Sequence, residues 1–158
     1  MDRKRFLFMV GGVVVSLLLA AGPALIAAAG ETAHATQHPA NQSGVMGRIT
    51  FTDTGTTLIV MGTATGLAPS TFGRYVTLVY DTGSVPGGPD NCEPTKPMPG
   101  MFVGFWTSDA AGNGTLHQGS TPIAPLGAFD SVSIRDTTIN GGFGPTAVAA
   151  CGQVAVNP

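Results

Sequence analysis

The chain predicts an all-β fold, an antiparallel β-sandwich or flattened barrel of seven or eight short strands. Three observations carry that expectation. Glycine (23) and proline (12) together exceed a fifth of the 158 residues, which is turn chemistry. Charged residues make up only 10%, and Lys4, Lys96, Glu31 and Glu93 are the only lysines and glutamates, so coiled coils and solvated helical bundles are excluded. Valine, isoleucine, leucine and phenylalanine fall in short runs between glycine-bearing turns. Seven basic against nine acidic residues leave no footprint for nucleic acid.

The chain opens with the parts of an export signal. Asp2-Arg3-Lys4-Arg5 is a basic start, and Phe6 to Ala29 is uncharged and apolar, broken at Gly11-Gly12 and Gly22-Pro23. Ala33-His34-Ala35 then offers an A-x-A cleavage site, with Ala27-Ala28-Ala29 as a competitor. Residues 1–35 are therefore expected to be a signal peptide. If it stays uncleaved, the long apolar stretch becomes a membrane anchor. Arg3-Lys4-Arg5-Phe6-Leu7 also resembles a twin-arginine signal with Lys4 in place of the second arginine, and a plain secretory signal fits at least as well. A chain starting at Thr36 would carry four cations against seven acids, a net charge of −3. Residues 36–44, with His38 and Pro39, are expected to form a flexible lead-in to a domain over 45–158.

Strands follow in order. Gly47 to Thr52 alternates, with Ile49 and Phe51 on one face and Arg48, Thr50 and Thr52 on the other. Asp53-Thr54-Gly55-Thr56 is a turn, and Thr57 to Thr65 completes a hairpin in which Leu58 to Met61 is apolar on both faces. Gly66 to Ser70 is a loop, since Pro69 forbids a central strand. Gly73 to Asp81 puts Tyr75, Thr77 and Val79 on one face and Val76, Leu78 and Tyr80 on the other. Thr82 to Gly100 is a long loop with five prolines and Cys92. Met101 to Thr107 and Thr115 to Gln118 flank a tight turn at Asp109 to Gly114, where Asp109 is expected to cap the turn. Phe129 to Asp136 points Val132 and Ile134 inward and Ser131, Ser133 and Arg135 outward. Asn140 to Pro145 is a glycine loop, and Gly152 to Val156 closes the domain.

Cys92 and Cys151 are the only cysteines, too few for a four-thiolate zinc site. In an oxidising compartment the default is one bridge, worth roughly 4 kcal/mol for a loop of about 60 residues, with two free thiols as the alternative. No H-E-x-x-H, G-x-S-x-G or phosphate-binding G-x-x-x-x-G-K-[ST] exists. Met98 and Met101 could hold Cu(I), but packing is the plainer role. Trp106 beside Phe105 reads as core filling. Asn41-Gln42-Ser43 and Asn113-Gly114-Thr115 fit the glycosylation pattern, which matters only in a eukaryotic secretory host.

From about Val45 onward the order of features resembles the copper/zinc superoxide dismutase family. Gly47-Arg48-Ile49-Thr50-Phe51 is similar to its G-x-[IV]-x-F strand, and Thr63-Ala64-Thr65-Gly66-Leu67 to the strand end before its Gly-Leu turn. Gly73 fits the glycine of H-G-F-H-V-H-E, and Asp109 to Thr115 the A-D-x-x-G turn. Ile134-Arg135-Asp136 sits where the family has V-H-E, and Ala150-Cys151-Gly152 matches the closing A-C-G. The resemblance implies a dismutase-like antiparallel Greek-key β-sandwich or flattened barrel and a Cys92–Cys151 bridge. It also shows what is missing. Tyr75, Thr77 and Arg135 stand at histidine ligand positions, the counterpart of the zinc loop has no histidine, and no arginine stands near Thr146 to Val148.

The expected function is therefore an exported, non-catalytic structural or interaction domain, secreted, periplasmic or at the cell surface, without cofactor. Its partner would be an unidentified protein or envelope component, and it would touch membrane only through an uncleaved anchor. The alternative is a divergent dismutase or metal handler that binds copper or zinc through unusual ligands. Tyr75, Thr77 and Arg135 are expected on one outward face, as a cationic, hydroxyl-bearing replacement for the metal site.

Overall fold

The computed structural model describes residues 30–81, 101–119 and 125–157. Residues 1–29 of the expected export signal (1–35) and the proline-rich loop with Cys92 lie outside the described residues. Among the described residues nine strands run in chain order: β1 (Thr32–Pro39), β2 (Met46–Asp53), β3 (Leu58–Thr65), β4 (Ser70–Tyr80), β5 (Met101–Ser108), β6 (Gly114–Gln118), β7 (Ser131–Asp136), β8 (Val148–Gln153) and β9 (Ala155–Val156). Their order in the sheet is β2-β3-β6-β5-β4-β7-β8-β1-β9, and β1 also pairs with β2, which closes eight strands into a barrel. Every ladder is antiparallel. Closure removes the open edges that an exposed sheet would offer for aggregation.

Alternating side chains fill the interior. Ile49 and Phe51 of β2, Val60 and Ala64 of β3, Tyr75 and Val79 of β4, Trp106 of β5, and Val132 and Ile134 of β7 belong to one buried core. The β2–β3 hairpin forms in the expected place. Its second strand is apolar on two faces but buried on one: Leu58 and Val60 go inside, while Ile59 and Met61 stay exposed. At Gly62 a methyl group would come within 2.8 Å of the Trp106 ring, so this glycine makes room for the largest core side chain. Asp109 caps its turn as expected, accepting from the Ala111 and Asn113 amides at 2.9 and 2.8 Å. Hydrogen bonds from Asn113, its side chain first, hold the Asp109 carboxyl below the usual range.

Two expectations need correction. The flexible lead-in over 36–44 is in fact the second half of β1 followed by a turn. β1 pairs with β2 from Thr32↔Thr52 to Gln37↔Gly47, and with β8 at His38 and Pro39. Ala33, Ala35 and Gln37 are buried in the barrel, whereas His38 is exposed as expected. The physical reason is that β2 and β8 would otherwise face each other across an open seam, and a short polar-looking strand with small inward residues fills it. The second correction concerns β7. Ser131, Ser133 and Arg135 do point away from the core, yet all are buried, and Arg135 is only 2% exposed.

Candidate functional site

Local sequence sets up one end of the barrel. Pro39 ends β1, and the turn to β2 uses Asn41 (φ 50°), Gln42 (φ 59°) and Gly44 (φ 73°), a run of left-handed residues that reverses the chain tightly. The Asn41 amide donates to the carbonyls of Pro145 and Val148 at 2.7 and 2.9 Å. The Ser43 hydroxyl donates to the Ala149 carbonyl and accepts from the Val45 amide. These contacts lash the β1–β2 turn to the segment before β8. Between them and the start of β4 lies a cleft of about 380 Å³.

Val45, Leu67 and Ala147 give the cleft an apolar wall, and Arg74, Tyr75 and Asp136 give it polar groups. Both Arg74 Nε and Nη2 donate to Asp136 Oδ2, at 3.2 and 3.0 Å. The other carboxylate oxygen accepts from the Thr138 amide and hydroxyl at 2.9 and 2.6 Å. Burial pushes the Asp136 carboxyl up, but the bonds from Thr138 and Arg74 outweigh it and hold the group below the usual range. Arg74 is shifted up in turn, first by its hydrogen bond to Asp136. Its guanidinium lies 5.3 Å from the Tyr75 ring centroid, and the Tyr75 hydroxyl accepts from the Ala68 amide at 3.1 Å. Both Asp136 oxygens are thus engaged, and Ser43 is bonded to a carbonyl rather than to a base. Arg74, the Tyr75 hydroxyl and the Asn41 side chain all line the cleft. Its described lining sets these polar groups beside an apolar wall.

The three residues read as degenerate ligand positions do not share a face. In the β4–β7 ladder Tyr75 faces Asp136, Val76 faces Arg135 and Thr77 faces Ile134. Directly opposed residues in an antiparallel pair point to the same side. Tyr75 and Thr77 therefore point into the barrel, and Arg135 points to the other side of the sheet. The expected common patch is overturned, because the register places Arg135 one residue out of step with them. Thr77 is fully buried and its hydroxyl accepts from Trp106 Nε1 at 2.8 Å. Arg135 donates from Nε to the Tyr80 hydroxyl at 2.7 Å, and from Nη1 to the carbonyls of Gly142 and Gly144 at 2.7 and 3.0 Å.

This donor set does not fit the copper or zinc that the dismutase resemblance implies. Thr77 and Tyr75 are spent on hydrogen bonds in the core, and a fixed guanidinium repels a cation. Among the described residues no group of three or more His, Cys, Asp or Glu is placed to hold a metal ion. His117 lies outside the cleft, bonded to the Thr107 hydroxyl at 2.9 Å and stacked on Phe105. Cys151 is buried beside Val148 on the outer side of β8, and Cys92 lies outside the described residues. The sequence marks Asn41 and Ser43 only as part of a glycosylation pattern and Asp136 only as part of the V-H-E match, and it does not mark Arg74. A charged residue on each of two strands is an ordinary pattern, and only the β4–β7 register brings Arg74 and Asp136 together. Neither a scan of protein-family models nor a search of curated proteins finds a match to this chain.

Proposed function

We propose that the chain is an exported, non-catalytic β-barrel domain of superoxide dismutase-like descent, acting as a structural or interaction module at the cell envelope or outside it. The observation that carries the reading is the Thr77–Trp106 hydrogen bond inside the closed barrel. A position where the resemblance expects a copper ligand is instead a buried packing residue. The neighbouring order β7-β4-β5-β6 supports the Greek-key part of the reading, since three consecutive antiparallel strands lie side by side and a fourth returns beside the first. The absence of a free thiol among the described residues supports a Cys92–Cys151 bridge. The cleft at Arg74 and Asp136 is the place for a partner's polar group.

Metal content and activity test the reading. After dialysis against a chelator, the purified protein should hold no stoichiometric copper or zinc and remove superoxide no faster than a free-metal blank. Stoichiometric copper, with superoxide removal lost on Tyr75→Phe or His117→Ala, would overturn it and favour a divergent metal enzyme. Alkylation before reduction tests the bridge: an unreduced protein carrying two alkyl groups has no Cys92–Cys151 disulfide.

A further inference from the structure

We propose that export processing cuts the Ala29–Gly30 bond, so that the mature protein begins at Gly30 and keeps all of β1. The proposal rests on the export reading above. Two A-x-A sites follow the N-terminal apolar stretch closely, ending at Ala29 and Ala35. The fold separates them. Among the described residues, backbone contact with the end of β2 begins at Gly30, whose N–H donates to the Asp53 carbonyl at 2.7 Å, and continues with Asp53 N–H to the Glu31 carbonyl at 2.9 Å. A cut after Ala35 removes four of the six β1–β2 register pairs, Thr32↔Thr52 to Ala35↔Ile49, and both β1–β9 pairs. It also deletes Ala33 and Ala35, each fully buried, and uncovers Ile49 and Phe51, which are fully buried too. The barrel would be left with an unzipped seam of unpaired backbone groups, each costly to leave unsatisfied.

A cut after Ala29 removes none of this. Hydrolysis adds water across one amide, leaving a carboxylate on Ala29 and an α-ammonium on Gly30. That ammonium still has hydrogens to donate to the Asp53 carbonyl. The sequence before it agrees. The apolar run from Leu7 to Ala21 then has about the length of a secretory core segment, and Gly22-Pro23 breaks it just ahead of Ala27-Ala28-Ala29. The mature chain would carry four cations and eight acids, Glu31 included, a net side-chain charge of −4.

The test expresses the full chain in a bacterial host with a signal peptidase and sequences the N-terminus of the exported protein. The expected terminus is Gly30-Glu31-Thr32. A terminus at Thr36, or an exported chain still carrying Met1, would overturn the proposal while leaving export intact. A chain that never leaves the cytosol would overturn both. Two variants, followed by pulse-labelling on a timescale shorter than folding, separate processing from stability. Ala29→Leu should abolish conversion to the Gly30 form, and Ala35→Leu should leave conversion unchanged. The reverse pattern would place the cut after Ala35 and sink the inference.

Discussion

A guanidinium buried as deeply as Arg135 needs partners for its donors, and here oxygens of Tyr80, Gly142 and Gly144 supply them. Its role is to tether the glycine-rich segment before β8 to the sheet. Arg135→Met should cost about 2 kcal/mol, the scale of hydrogen bonds to a charged group, and speed hydrogen exchange over 140–147. Unchanged exchange there would show that the tether does not hold the loop. Asp136 behaves differently. Its folded pKa lies below the unfolded value, so its stabilisation is present above about pH 4 and is lost as pH falls through the folded value. The melting temperature of Asp136→Asn should lie below that of the native chain at neutral pH, with the gap closing in acid. A gap that widens in acid would contradict the assignment. Gln37 presents the opposite case. It is buried in the core, and among the described residues neither amide atom has a hydrogen-bond partner. Gln37→Met keeps the shape and removes the unpaired groups, so unfolding in urea should shift toward greater stability by about 1–2 kcal/mol. A loss of stability would mean that the amide is satisfied by bound water.

Among the elements, β1 was the hardest to see. Thr32, His34 and Thr36 alternate with Ala33, Ala35 and Gln37, so the period of a strand is present. The inward residues are too small or polar to register as an apolar face, and the two alanines also spell a cleavage site. β3 shows the converse: its apolar run concealed a one-sided strand, because Met61 and Ile59 remain at the surface. Packing between elements is tightest around Trp106. Gly62→Ala would press a methyl between the Trp106 ring, Leu116 and Ile49, at 2.8, 3.1 and 3.3 Å. It should destabilise by about 1–3 kcal/mol, the usual cost of overpacking. A neutral effect in thermal unfolding would mean that the Trp106 ring can shift, which its bond to Thr77 opposes.

For the whole molecule, closure is the decisive property. Among the described residues β1 is the strand that pairs with β2, β8 and β9, so the barrel depends on it. Two purified chains, beginning at Gly30 and at Thr36, should differ sharply: a single cooperative thermal transition for the first, and a lower or broadened transition for the second. Equal transitions would show that the seam closes without Thr32 to Ala35. The cleft also belongs to this scale. It exists because the β1–β2 turn, the start of β4, the end of β7 and the segment before β8 meet at one end of the barrel.

The sequence by itself determined the strand-rich class, the β2–β3 hairpin, the Asp109 turn and the inward side of β2. These follow from period-two alternation and from glycine and aspartate at turns, which are local properties. The tertiary structure alone decided that Tyr75 and Arg135 lie on opposite sides of one sheet, that Arg74 meets Asp136, and that Ala33 and Ala35 are core. Each depends on the register between strands distant in sequence. A shift of one residue moves a side chain to the other face, and nothing local to either strand encodes that pairing.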